Sequence, residues 1–269
     1  MSAAAAHAKI NLALVVGARR ADGLHEVATV LQRVALADRI EVEPADALAI
    51  EGFPEDTLVR RALEALAGAS GVQPRWAARI EKRIPVAAGL GGGSSDAATA
   101  LRLANAGLPS PFANDRLLEL AAAIGADVPF FLTPGPKLAE GAGERLSAVD
   151  LPQAYAVLLA LAEGAAKAST GSVYARFDAL GGGPGFGERR NAVLAALEQR
   201  DPTALPPNDL AESAGGKPLV QELLGAGAFR ADVSGAGPAV YGLFERRDEA
   251  EAAAAVCASA WVCVTSPVW

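Results

Sequence analysis

The chain has 269 residues, 51% of them apolar, with a formal charge of −7. That length and composition suit one large or two small globular domains, and the acidic balance excludes non-specific nucleic-acid binding, which needs a basic stripe. No run of about 18 uninterrupted apolar residues is present, so no membrane-spanning helix is expected. The start, Met1-Ser-Ala-Ala-Ala-Ala-His7, lacks the basic region and apolar core of a secretory signal. Cys257 and Cys263 are the only cysteines and His7 and His25 the only histidines. A cysteine or histidine metal cluster is therefore not expected, and a reducing, cytoplasmic setting fits.

In chain order, Ala8–Val16 alternates as a strand, with Ile10, Leu12 and Leu14 on one face and Lys9 and Asn11 on the other. Lys and Asn are poor strand formers, so this face is either solvated or chemically employed. Asp22-Gly23 marks a turn before His25, and Val27–Leu36 and Asp38–Glu43 read as two further strands. Pro54–Ala69 reads as a helix with Leu58, Leu63 and Leu66 inward, and Arg75–Arg83 as the strand that follows.

That strand runs into Pro85-Val-Ala-Ala-Gly-Leu-Gly-Gly-Gly-Ser-Ser-Asp96. Gly89, Gly91, Gly92 and Gly93 permit positive φ and close approach, and Ser94, Ser95 and Asp96 are helix-capping residue types. Glycines leading into a helix start expose N–H groups beside its positive end, an anion site. A phosphate-binding loop is the sharper reading and a plain glycine turn the bland one. A Gly-x-x-x-x-Gly-Lys-Ser/Thr loop is absent, and no acidic residue stands where a dinucleotide fingerprint needs one.

The helix after the loop stops at Gly107, and Asn114 or Asp115 is expected to cap the next, which ends at Gly125. Asp127 then precedes Val-Pro-Phe-Phe-Leu; a carboxylate on a turn against an apolar stretch is a turn former or a functional acid. Lys137–Gly143 reads as a strand. The composition shifts at Asp150-Leu-Pro152, and Ala154–Leu161 is a buried strand that opens a second domain. Ser169–Leu180 is a helix, Gly181–Gly187 a flexible linker, and three short helices follow up to Leu224. Strands Phe229–Ser234 and Val240–Phe244 flank a second glycine turn, Ser234-Gly-Ala-Gly-Pro238; a helix Arg247–Ala258 and a strand Trp261–Thr265 complete the chain.

Three of these segments, Ala8-Lys-Ile-Asn-Leu12, Pro85 to Ser95 and Ser234-Gly-Ala-Gly-Pro-Ala-Val240, resemble in order the motifs of the GHMP kinases. Arg20-Ala-Asp-Gly-Leu-His-Glu26, Gly125-Ala-Asp-Val-Pro-Phe130 and Asn208-Asp-Leu210 resemble the branch acting on a cytidine-diphospho polyol of isoprenoid-precursor synthesis. The resemblance implies an α+β fold of two domains, residues 1–150 and 151–269. The first would be like ribosomal protein S5 domain 2 and the second ferredoxin-like, with ATP in the cleft between them.

It also implies roles. Asp127 would be the base for the attacking hydroxyl and Lys9 its partner. Pro85, Val86, Ala87, Ala88, Gly89, Leu90, Gly91, Gly92, Gly93, Ser94 and Ser95 would hold the ATP phosphates, with Lys82 near the adenine and Ser95 on Mg²⁺. Asn11, Leu24, His25, Asp127, Thr170 and Tyr174 would face the small-molecule substrate. No nucleic-acid or membrane partner is implied, and the assembly would be a monomer or homodimer. Leu24 departs from the branch's tyrosine, His7 from its proline, and the Gly181–Gly187 loop is unusual. A kinase for another small alcohol, homoserine- or mevalonate-like, is the rival. A non-catalytic nucleotide-binding relative is a further one, against which the pair Lys9 and Asp127 argues.

Overall fold

The computed structural model describes residues 2–162, 165, 169–257 and 261–269. They form two compact units, Met1–Ala8 with Leu36–Val86 and Gly91–Pro134, and Lys9–Ala35 with Ala87–Leu90 and Gly135–Trp269. Strands β1 (Ser2–Arg19) and β2 (His25–Pro44) pair, and each runs through both units. β2 is one continuous strand where two were expected, and Asp38, at the start of the second, is buried within it.

In the first unit β4 (Trp76–Glu81) pairs antiparallel with β2, Arg39 opposite Glu81, and β3 (Ala49–Glu51) lies parallel to β4. Along β4, Trp76, Ala78 and Ile80 are buried while Arg79 and Glu81 are exposed, the period of two that puts one face on a core. Helix α1 (Thr57–Ser70) buries Val59, Ala62, Leu63, Leu66 and Ala67, the one-sided stripe of an amphipathic helix. Full burial of Leu63 and Leu66 contributes about 1.5–3 kcal/mol each. Asp56 caps α1 by accepting the Val59 N–H at 2.8 Å, and Gly71 closes it at φ +69°. Against α1 packs α2 (Gly92–Ala106), whose buried Ala97, Ala100 and Ala104 let the helices approach closely. α3 (Asn114–Ile124) follows, then a 3₁₀ turn, Pro129–Leu132. Neither Asn114 nor Asp115 caps α3; the helix starts at Asn114 itself, behind Ala113, which has no side-chain acceptor.

In the second unit β5 (Lys137–Gly141) pairs antiparallel with β2, and β6 (Arg145–Ala148), too short and exposed to be foreseen, with β5. A separate antiparallel sheet has the order β10-β7-β9-β8, from β7 (Ala156–Leu161), β8 (Arg230–Val233), β9 (Val240–Phe244) and β10 (Trp261–Thr265). Its core buries Leu158, Val233, Val240 and Phe244. Helices α4 (Thr170–Ala179), α5 (Phe186–Glu198), α6 (Ala211–Ala214), α7 (Lys217–Gly225) and α8 (Arg247–Val256) complete it. The expected end of α8 at Ala258 lies outside the described residues. Among the described residues no helix is long and apolar enough to cross a membrane, and no His, Cys, Asp and Glu cluster could hold a metal ion. Cys257 and Cys263 are thiols, not a disulfide.

Candidate active site

The glycine loop bends through three left-handed residues in alternation: Ala87 (φ +61°), Gly89 (φ +83°) and Gly91 (φ +71°). Such alternation turns successive peptide groups so that their N–H groups make an anion-binding concavity. Three consecutive carbonyls are committed to the protein. Ala88 O accepts from the Ala239 N–H (3.0 Å), Gly89 O from the Ser234 hydroxyl (3.0 Å), and Leu90 O from the Lys9 N–H (2.9 Å). These bonds tie the loop to β1 and to the second glycine turn. A Cβ on Gly89 would sit 2.4 Å from Ser234 O and 2.9 Å from Gly237 O, so only glycine fits.

Helix α2 then begins at Gly92 behind Gly91, with no side-chain cap. Ser94, Ser95 and Asp96 lie inside its first turns instead of capping it, which leaves the helix start for another acceptor. Ser95 is buried, its N–H donating to Gly91 O at 2.9 Å. Asp96 is turned to Lys82, whose ammonium also meets Asp38, at 2.8 and 2.5 Å respectively. Asp38 accepts in addition from the N–H groups of Arg83 (2.5 Å) and Ile84 (2.8 Å), fixing the path from β4 into the loop. One ammonium between two buried carboxylates leaves a surplus negative charge. Burial, and then the Asp38 charge, pushes Asp96 up to about 8 against the pull of Lys82. Burial opposes the Lys82 charge as well, yet the two carboxylates hold its pKa above the ordinary value.

Lys9 and Asn11 are 4% exposed, so the solvated-face reading of β1 is wrong. Thr29 fixes their geometry: its hydroxyl donates to Ala13 O (2.7 Å) and so accepts from Asn11 Nδ2 (2.8 Å), which turns Asn11 Oδ1 to Lys9 Nζ (2.6 Å). The second glycine turn lies beside this pair, since a Cβ on Gly235 would be 3.2 Å from Asn11 Oδ1 and 3.3 Å from Lys9 Nζ. Asn208 holds that turn through Nδ2, donating to Val233 O (2.9 Å) and Gly235 O (2.7 Å).

His25 is buried at the start of β2, its ring 4.9 Å from that of Tyr174 and 6.3 Å from that of Phe177. Its Nε2 meets Asp178 Oδ1 at 2.8 Å. Thr170 opens α4 on the exposed side, behind Ser169, which caps the helix by accepting the Ser172 N–H. Leu24 is 55% exposed in the turn before His25. Asp127 is half-buried in the turn between α3 and the 3₁₀ segment, and belongs to the first unit with Lys82, Pro85, Val86 and residues 91–95. Sequence reasoning missed Thr29, Asp38, Asp178 and Ser234, and gave Asn208 no role. Two of these had a signal: Asp38 is a charge inside an apolar strand pattern, and Asp178 lies one helical turn from Tyr174.

Residues 57–135 match the family described as GHMP kinases N terminal domain, and residues 217–263 that described as GHMP kinases C terminal. The 4-diphosphocytidyl-2-C-methyl-D-erythritol kinase of Anaeromyxobacter dehalogenans (strain 2CP-C) is 43% identical over 93% of this chain and 82% of its own. A crystal structure of 4-(cytidine 5'-diphospho)-2C-methyl-D-erythritol kinase superposes with a TM-score of 0.84 at 34% identity, covering 100% of both chains. The Methanococcus jannaschii mevalonate kinase shares the fold, with a TM-score of 0.75 at 13% identity over 100% of this chain and 98% of its own. The chain therefore belongs to the GHMP kinases, small-molecule kinases of two-domain α+β fold, and among them is similar to the 4-diphosphocytidyl-2-C-methyl-D-erythritol kinases.

Proposed function

We propose that this chain transfers the γ-phosphoryl group of ATP to the 2-hydroxyl of 4-diphosphocytidyl-2-C-methyl-D-erythritol. The observation that carries the proposal is the loop from Pro85 to Ser95, an anion cradle with inward carbonyls ahead of an uncapped helix start. Its presence in a chain 43% identical to a kinase of that name supplies the substrate.

In this reading Pro85, Val86, Ala87, Ala88, Gly89, Leu90, Gly91, Gly92, Gly93, Ser94 and Ser95 bind the triphosphate, and Lys82 stands on the adenine side. Asp127 takes the hydroxyl proton as the oxygen attacks phosphorus and the bond to ADP breaks. The Lys9 ammonium, aimed by Asn11 and Thr29, offsets the negative charge that develops. Asn11, Leu24, His25, Asp127, Thr170 and Tyr174 hold the polyol and its cytidine. Ser95 would hold magnesium through its hydroxyl, together with the phosphates of the nucleotide. The described residues offer no cluster of three carboxylates or imidazoles for a protein cage, and Asp96 is engaged with Lys82. Bound there, the ion would neutralise phosphate charge. The division at residue 150 into an N-terminal and a C-terminal domain belongs to the same proposal, and the separate sheet beginning at Ala156 supports it.

The test is ADP release, measured by a coupled assay, with the cytidine-diphospho polyol set against homoserine, mevalonate and simple sugars. Turnover confined to the polyol is expected; preference for another alcohol would overturn the substrate, and the exposed aliphatic Leu24 is what favours that rival. Asp127→Asn should keep ATP affinity and lose about 10²-fold or more in turnover, the scale of a lost general base. Near-normal turnover would make Asp127 a turn residue.

A further inference from the structure

His25 is buried against Tyr174 and Phe177, and the contact that orients its imidazole is the 2.8 Å hydrogen bond from Nε2 to Asp178. A carboxylate can only accept, so Nε2 carries the hydrogen, and the neutral ring is left with Nδ1 as an acceptor. Asp178 lies on α4 four residues beyond Tyr174, so one helical turn supplies both the aromatic ring beside the imidazole and the carboxylate that holds it. The exposure of the two partners differs. The His25 side chain is 7% exposed and that of Asp178 43%, so the carboxylate holds a buried ring from the solvent side.

We propose that Asp178 is a positioning residue that fixes His25 as its Nε2–H tautomer and thereby presents Nδ1 to a hydrogen-bond donor of the substrate's base. The exocyclic amino group of a cytosine is a donor of that kind, and a uracil has a carbonyl oxygen at the same place. The bond to Asp178 would thus select an amino-pyrimidine and reject a keto-pyrimidine of the same shape. Recognition of this sort discriminates because the mismatched partner leaves buried polar atoms facing like atoms. The recognition half rests on the cytidine-bearing substrate proposed above; the tautomer half does not.

Both halves are testable with the whole chain. The chain has only two histidines, so ¹⁵N ring shifts of His25 can be assigned against a His7→Gln variant. Spectra are recorded across a pH series, and the tautomer is read on its alkaline plateau. The wild type should give a protonated Nε2 and an unprotonated Nδ1. Asp178→Ala should give a mixture, and so should Asp178→Asn, whose amide can accept or donate. In steady-state assays Asp178→Ala should raise the KM for the cytidine-diphospho polyol about 3- to 10-fold, the scale of one hydrogen bond. The KM for ATP and kcat should stay near the wild-type values, and preference over the uridine-diphospho analogue should shrink. A merely structural Asp178 would lower thermal stability without moving the tautomer or the cytidine-to-uridine ratio. A wild-type Nδ1–H tautomer, or one unchanged by Asp178→Ala, overturns the proposal. So does a shifted tautomer with an unshifted ratio. A wild type inert toward the polyol overturns the proposed substrate and the recognition half with it, and the ring shifts then decide the Asp178 half alone.

Discussion

Two glycine-rich segments of this chain lead into helices, and only one of them is proposed above as an anion site. Gly91 before α2 and Gly185 before α5 are both left-handed, at φ +71° and φ +72°, and neither helix has a side-chain cap. The differences lie in charge and in where the peptide oxygens go. The first turn of α2 carries no acidic residue, whereas that of α5 carries Glu188. Before α2 the loop's carbonyls are turned into the protein. Before α5 the Pro184 carbonyl is instead covered by the Arg189 guanidinium, which also bonds Asp209 Oδ2 and Val16 O at 3.1 Å. A Cβ on Gly182 would strike the Phe177 ring at 2.3 Å, so the second segment is packed in place and is not the flexible linker its composition suggests. Glycine supplies the conformation in both loops. Peptide orientation and the charge of the first helical turn set the proposed anion site apart from the other loop.

The largest expected effect comes from breaking the first loop. Gly89→Ala puts a methyl group 2.4 Å from Ser234 O at a φ of +83°, so residues 88–90 must shift and their N–H groups with them. Loss of a set of aimed donors costs on the order of 10²-fold in kcat/KM for ATP. Circular dichroism should show a retained fold, and an unchanged kcat/KM would show that the phosphates bind elsewhere.

A smaller effect concerns the acids of the two helices. The folded pKa of Asp96 is pushed up to about 8, above the ordinary carboxylate value. The folded chain therefore holds a proton that the unfolded chain has lost. This contribution to stability is fully present below about pH 4 and is lost as the pH rises through about 8. Asp96→Asn mimics the protonated form and should flatten this slope in denaturant titrations, with its greatest relative stabilisation at the alkaline end. Exposed Glu188→Gln should leave the slope unaltered and cost only a few tenths of a kcal/mol from the lost helix-start charge. A wild-type stability that rises across the same window would refute the assignment.

The smallest effect is at Gly181, which is left-handed at φ +77° with nothing within 4 Å of a built Cβ. Gly181→Ala should cost about 1 kcal/mol of stability, the ordinary price of a left-handed alanine, and leave ATP kinetics untouched. Equal kinetic damage from Gly181→Ala and Gly89→Ala would erase the distinction between the two loops.

Much of the fold was legible because its signals are local. The stripe Val59, Ala62, Leu63, Leu66 names the inner face of α1, Ser169 announces α4, and the run at Ala156–Ala160 reads as a buried strand. The order of the three motifs and the glycines of the loop likewise needed nothing beyond the sequence. What the sequence by itself determined was therefore which residues could bend, alternate or cap. Tertiary structure decided the chemistry of the polar residues, because a period of two names a face without naming what covers it. Lys9 and Asn11 became a buried, oriented pair only when Thr29, 18 residues away from Asn11, came to lie beside them. Lys82 met Asp38 across 44 residues and His25 met Asp178 across 153, distances over which no local pattern carries information. The same holds for the caps. Ser94 and Ser95 have the right chemistry to close α2, but Gly91 takes the left-handed turn first and leaves them inside the helix.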